Sequence, residues 1–304
     1  MKVFDHVFTP AACAVLHAAA CSRGLGHALF SREQPHSAIE TALASFLDEV
    51  GDGASHIEYW SRQDWKHIEA HADVDENRAA EAPGQELRYP RTGHVLYLEV
   101  GPRVHGPTCI WEPDKAAGTE FGALTTVPAV AGRVLRFDGR LQHAVPRPAD
   151  VWLAPFTISQ SGSADDFVRS VVLFNTWDDA PPLDVEREAA PDVEAPSDLV
   201  LARCAPRAEW SDVAPRVQDT GGDLGSMKIW LLGDEHRRGR LERTLSLPVD
   251  RSAVAEALEQ TSAVTHLAAP AASSSVSAAE KAPPAAAAST SRAMALAAAL
   301  RKAS

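Results

Sequence analysis

The sequence predicts a mainly β protein of the α+β kind, a many-stranded antiparallel core braced by N-terminal helices. Three observations predict it. Between residues 55 and 177, short runs rich in β-branched and aromatic residues alternate with turn residues: "HIEYW", "HVLYLEVG", "PTCIWEP", "GALTTVPAV", "GRVLRFDG" and "FVRSVVLFNTW". Ahead of them, "TPAACAVLHAAACSRGLG" and "HSAIETALASFLDEVGDG" carry helical spacing closed by glycines. Behind them, from about residue 265, the chain collapses to Ala, Ser and Pro, which bury too little apolar area to offset the entropy of ordering.

In chain order, Thr9 as N-cap and Pro10 at the first helical position start the first helix. Asp5 and His6 stand where a signal peptide would carry positive charge, so the apolar stretch that follows is expected to be a helix and not a leader. Residues 1–54 are thus expected as a helical support and 55–177 as the β core. Residues 178–198, "DDAPPLDVEREAAPDVEAPSD", are acidic and Pro-rich without periodicity, the pattern of a linker or surface loop. In 199–264, "MKIWLLGD", "ERTLSLPV" and "DRSAVAEALEQ" predict two strands and a helix extending the core. Residues 265–304 are expected to be a disordered tail, with "SRAMALAAALRKAS" patterned as a transient helix.

Composition narrows the partners. A chain of 304 residues with 45% hydrophobic content supports one main core. Lys and Arg number 29 against 41 Asp and Glu, a net charge of −12 that repels phosphate backbones, so no nucleic-acid partner is expected. Cys13, Cys21, Cys109 and Cys204 form no CxxC pair and are expected as free thiols in a reducing compartment, intracellular and cytoplasmic. No apolar run reaches the roughly 20 residues of a membrane span.

The chemistry gathers around "HIEAHADVDE", residues 67–76. If 69–75 runs as a strand, His71 and Asp73 share a face, because side chains alternate with period two. Read as a helix, the stretch would pair His67 with His71, but Ile68 stands where a zinc-protease helix needs Glu. His143 in "GRVLRFDGRLQHAVP" is the candidate third ligand. Two His and one carboxylate leave open positions on an iron, the arrangement of non-haem Fe(II) oxygenases. Arg169 opens the strand "VRSVVLFNTW", and a guanidinium there suits a carboxylate cosubstrate. Arg147 competes for that role, in a "PRP" setting that suits a core strand poorly. Asp75 and Glu76 are expected as solvated loop charges, His67 as a surface residue, and Thr108 and Trp111 as packing.

The ordered motifs "HAD", "HVLYLEVGPRVHGPTCIWEP", "GRVLRFDGRLQHAV" and "RSVVLFNTW" resemble those of the Fe(II)- and 2-oxoglutarate-dependent dioxygenases, prolyl 4-hydroxylase-like branch, over about residues 55–177. The resemblance implies a double-stranded β-helix, or jelly roll, with N-terminal helices behind its major sheet. It implies that His71, Asp73 and His143 bind Fe(II), that Arg169 and Tyr97 hold the distal carboxylate of 2-oxoglutarate, and that Tyr59 reaches the cosubstrate from the preceding strand. The cosubstrates would be 2-oxoglutarate and O2, with ascorbate as a candidate accessory reductant, and the substrate a peptidyl proline or a small molecule. His143 and Arg169 are 26 residues apart, more than the family's usual spacing, so "PRPADVWLAPFTISQSGSADD" is expected to be an insertion at the substrate rim. A cupin-like zinc or manganese enzyme, and a jelly-roll binding module without turnover, are the competing readings.

Overall fold

In this computed structural model, which describes residues 1–24, 26–82, 84–104, 106–115, 118–146, 168–188, 195–221, 224–231 and 243–269, the chain opens with strand β1 (Lys2–Asp5). Thr9 then caps helix α1 (Pro10–Ser22), its hydroxyl accepting from the Ala12 amide at 3.2 Å. After β2 (Ala28–Ser31), Ser37 caps α2 (Ala38–Glu49) through the Glu40 amide, while the Glu40 carboxylate accepts from the His36 amide at 2.6 Å. β3 (His56–Asp64) and β4 (Ile68–His71) lead to α3 (Glu76–Glu81), capped by Asp75. Then come β5 (Thr92–Val100), β6 (Thr108–Trp111), β7 (Leu124–Val127), β8 (Val134–Asp138), β9 (Gln142–Val145) and β10 (Val168–Trp177). The C-terminal part adds α4 (Pro196–Leu201), β11 (Ser211–Asp212), β12 (Arg216–Gln218), β13 (Leu224–Leu231), β14 (Arg243–Asp250), α5 (Arg251–Glu259) and β15 (Thr265–Leu267).

The strands form two sheets. One runs β11-β1-β8-β5-β10-β3-β2, antiparallel throughout. The other runs β12-β15-β7-β6-β9-β4-β13-β14, with parallel pairs at β12/β15 and β4/β13. The seven-stranded sheet has two apolar faces. Outward, Leu96, Leu98, Val172 and Phe174 pack under α1 and α2 with Leu16, Leu43, Phe46 and Leu47. Inward, Val95, Tyr97, Leu135 and Val171 meet Ile110 and Val127 of the second sheet. The alternation of β5 and β10 therefore decides which side chains see the interior: odd numbers from Val95 to Tyr97, and Val171 with them.

Several expectations need correction. The 1–54 segment is not purely helical support, because β1 and β2 join the sheet it supports. The acidic 178–198 stretch, expected as a linker or surface loop, is a loop over its described residues 178–188, and side chains and backbone tie it to the rest of the fold. Asn77 donates to the Leu183 carbonyl, the Leu183 amide donates to Asp75, Arg88 donates to the Pro181 carbonyl, and the Leu29 amide donates to that of Glu186. Nor does regular structure stop at residue 265, since Thr265–Leu267 forms β15 between β12 and β7, with Leu267 buried. A low-complexity boundary read from composition fails here because three residues with two ladder partners are enough to hold a strand. Residues 147–167, with Arg147 and nearly all of the expected insertion, lie outside the described residues, as does everything from 270 onward. Cys13, Cys21, Cys109 and Cys204 are free thiols. Among the described residues no helix is long and apolar enough to cross a membrane.

Candidate metal centre and carboxylate pocket

β4 and β9 pair antiparallel with His71 directly opposite His143, so the register itself brings the two imidazoles together, ring centroids 4.3 Å apart. β4 ends at His71, earlier than the 69–75 strand expected from alternation. Asp73 lies in the turn toward α3, and still its Oδ1 reaches 3.5 Å from His71 Nε2 and 3.8 Å from His143 Nε2. One ligand atom from each of the three lies within 4.8 Å of the others, the one such group of His, Cys, Asp and Glu found among the described residues.

The hydrogen bonds fix the tautomers. His71 Nδ1 lies 2.7 Å from the Glu69 carbonyl and His143 Nδ1 3.2 Å from that of Leu141, and a carbonyl only accepts, so each Nδ1 donates. Each Nε2 is left facing the Asp73 carboxylate. A ring held through one nitrogen with the other turned inward is the usual support of a metal-ligating histidine. Asn175 on β10 donates from Nδ2 to Asp73 Oδ2 at 3.2 Å, which leaves Oδ1 for the centre.

Charge follows the same logic. Burial alone would raise the Asp73 carboxyl, but His143, His71 and the Asn175 amide outweigh it and hold it far below the usual carboxylate range. Burial and the neighbouring His71 push His143 down to about 4. For His71 burial pulls downward, and the hydrogen bond and charge of Asp73 reverse the sign, so its pKa is raised. A divalent cation entering here would replace a shared proton with a charge that all three groups are already turned toward. The donor set, two imidazoles and one carboxylate with further positions open, fits Fe(II).

A second cluster lies deeper in the same interior. Arg169 is 3% exposed; its Nε donates to the Gly106 carbonyl at 3.1 Å and one Nη to Thr108 Oγ1 at 3.2 Å. Tyr97 shares Thr108, hydroxyl to hydroxyl at 2.7 Å, and its ring centroid lies 5.4 Å from the guanidinium carbon. These partners are neutral. No carboxylate among the described residues forms an ion pair with Arg169, and a buried cation without one is costly. Burial lowers the Arg169 pKa and raises that of Tyr97. An uncompensated guanidinium beside a phenol and a threonine hydroxyl fits a carboxylate such as the distal end of 2-oxoglutarate. Gly106 is required by space: a Cβ there would fall 2.1 Å from Trp65 Nε1.

The structure thus unites His71, Asp73 and His143, and unites Arg169 with Tyr97. Tyr59 it places elsewhere. On β3 the even positions Glu58, Trp60 and Arg62 line the cavity, while Ser61 and Gln63 hydrogen-bond to the Ala20 carbonyl of α1. Tyr59 shares the parity of the latter, and its hydroxyl bonds Glu40 at 3.1 Å and Glu188 at 2.8 Å behind the sheet. Asp75 is likewise no solvated charge: it is 2% exposed, caps α3 and pairs with Arg88 at 3.1 Å. Thr108, expected as packing, is a working member of the Arg169 cluster. Asn175 was not singled out in the sequence, although a polar side chain two pleats from Val171 on the inward face of "VRSVVLFNTW" was the available signal.

Beside His71 and Asp73 opens a cavity of about 680 Å³, walled by β3, the start of α3 and the Pro182–Glu186 segment. No protein-family model and no curated protein matches this sequence. Among solved structures the chain is similar to a prolyl-4-hydroxylase from Pseudomonas putida, at 15% identity and a TM-score of 0.39, covering 58% of this chain and 83% of that one. It is similar also to HygX from Streptomyces hygroscopicus with iron bound, at 13% and 0.36 over 59% and 83%. HygX with nickel and 2-oxoglutarate bound gives 11% and 0.33 over 63% and 91%. Likeness at this level is weak, and the functional reading stands on the side chains themselves.

Proposed function

We propose that this protein is an Fe(II)- and 2-oxoglutarate-dependent oxygenase that hydroxylates a C–H bond of a peptide or a small molecule. The observation that carries the reading is the His71/His143 cross-strand pair, each Nδ1 tied to a carbonyl and each Nε2 turned to Asp73, with the unpaired Arg169 in the same interior. In this reading the two sheets are the halves of a double-stranded β-helix and the cavity beside His71 and Asp73 receives the substrate. Iron with 2-oxoglutarate, when bound, supplies an oxidant from O2 with loss of CO2 and formation of succinate.

The chain's own residues bind, orient and exclude water. His71, Asp73 and His143 hold the metal on one side, leaving the other to exchangeable ligands. Asn175 fixes the rotation of the Asp73 carboxylate. Arg169, Tyr97 and Thr108 hold the far carboxylate of the cosubstrate, so that its reactive end is fixed without contact to the substrate. The apolar residues Val95, Val171 and Ile110 beneath keep bulk water from the reacting groups.

Anaerobic titration of the purified protein with Fe(II) and then 2-oxoglutarate tests the proposal. A weak visible charge-transfer band that saturates with 2-oxoglutarate is expected, and its loss in Asp73→Ala. Metal binding without the band would instead favour a cupin-like zinc or manganese enzyme. Binding of neither would favour a module that keeps the scaffold without turnover.

A further inference from the structure

The inward face of the seven-stranded sheet carries a second guanidinium that the reading above does not use. Arg62 of β3 pairs across with Val171 of β10, and Val171 pairs with Tyr97 of β5, so Arg62, Val171 and Tyr97 form one row across three strands. Arg169 stands two residues from Val171 on the same side, beyond an irregularity at Ser170. Strand spacing and rise put the Arg62 and Arg169 backbones about 8 Å apart. Arg62 lines the cavity with His71 and Asp73, yet it makes no hydrogen bond and no ion pair to any described residue. One pleat away on the same face, the buried indole N–H of Trp60 also has no acceptor.

The electrostatics set two cations against each other. Burial lowers the Arg62 pKa, and the charges of Asp73 and Glu69 partly restore it. Burial also lowers Arg169, and Arg62 lowers it further. A divalent cation on His71, Asp73 and His143 would claim the Asp73 charge that now offsets Arg62. The metal and two guanidiniums would then face the carboxylates of Asp73 and Glu69, an excess of positive charge that a dianion would balance.

We propose that Arg62 is the second carboxylate anchor of a dicarboxylate site, holding the carboxylate next to the His71–Asp73–His143 centre while Arg169 holds the far one. The proposal rests on the 2-oxoglutarate reading and sharpens it: the site selects a short dicarboxylate by charge at both ends.

Equilibrium binding to the full-length Mn(II)-loaded protein, by anaerobic calorimetry, tests it without turnover. The probes are 2-oxoglutarate and 2-oxobutyrate, which keeps the keto-acid end and lacks the distal carboxylate. Arg62→Gln should weaken both probes by about 10- to 100-fold, whereas Arg169→Gln should weaken 2-oxoglutarate alone. Arg62→Lys, which keeps the charge and loses the planar fork, should recover part of the loss. Binding of 2-oxoglutarate to Arg62→Gln and Arg62→Lys within about twofold of the parent would overturn the proposal, as would a loss confined to 2-oxoglutarate, since Arg62 would then serve the far end. If the parent protein itself binds neither probe, the 2-oxoglutarate reading fails and Arg62 falls with it.

Discussion

Asn175 offers a sharp test of the proposed metal centre, because it would act on a bound metal only through Asp73. It is 3% exposed and its amide donates to Asp73 Oδ2 at 3.2 Å, the sole amide hydrogen bond to that carboxylate among the described residues. Asn175→Leu keeps the volume and removes the donor, so Asp73 is free to rotate Oδ1 away from the two Nε2 atoms. A hydrogen bond to an ionised group is worth about 1.5–3 kcal/mol. Outer-shell changes of this kind cost metal affinity about 10- to 100-fold, or about 1.4–2.8 kcal/mol. The Asn175 amide also helps hold the Asp73 carboxyl down, but His143 and His71 act more strongly, so Asp73 stays ionised in the variant and the loss should be similar at pH 7.5 and 6. Free Mn(II), read from its magnetic resonance signal during titration at pH 7.5 and 6, gives the affinity directly. A dissociation constant within about twofold of the parent at both pH values would refute the view that Asn175 orients the ligand, leaving it a packing residue.

Three further outcomes are expected. His94 lies stacked on Phe174 at 4.2 Å with Nε2 buried and unpartnered, and burial, followed by Arg136, pushes it down to about 3 from 6.5. Its folded pKa lies below its unfolded one, so the unfolded chain binds more protons between the two values and stability falls as pH drops through that window. Urea unfolding at pH 7 and 5 should differ by about 2 kcal/mol from this group, and an equal pH difference in His94→Phe would contradict it. Gly106→Ala must displace either the Trp65 indole or its own backbone, whose carbonyl holds Arg169 Nε, costing about 1–3 kcal/mol of stability and weakening 2-oxoglutarate; unchanged values for both would show that the ring yields freely. Truncation after Pro270 should leave thermal stability and metal binding intact, whereas truncation after Val264 removes β15 and should cost about 2 kcal/mol or more from Leu267 alone; equal melting temperatures would sink the assignment of β15.

The strands of the core were legible because their side chains alternate and turn residues separate them. "HVLYLEVG" and "FVRSVVLFNTW" became the central pair β5 and β10. The ligands were legible for a different reason: His, Asp and Arg are rare on inward faces, so even one such residue in an apolar run is informative. Tyr59 departs from what the resemblance implied because likeness of motifs does not fix parity, and one residue of shift moves a side chain through the sheet. β1, β2 and β15, of three or four residues each, are held by neighbours far away in sequence and have too little pattern of their own. Asp75 read as solvated because its partners, Arg88 and the Leu183 amide, are supplied by segments that only the fold brings near.

One pairing bears on how the protein is made. β4, which carries His71, lies between β9 and β13, and its contact with β13 joins Ala70 to Leu231. A nascent chain released only as far as the His143 strand therefore has the His71 strand as an open edge, with unpaired backbone groups available to any extended segment. Its outer neighbour arrives roughly 160 residues after it, a long closure that makes this the slow side of the molecule to assemble. Metal offered early would meet His71 on a strand flanked on one side only, so the order of synthesis ties loading of the proposed centre to the arrival of β13 and β14, whose described residues supply none of the candidate ligands.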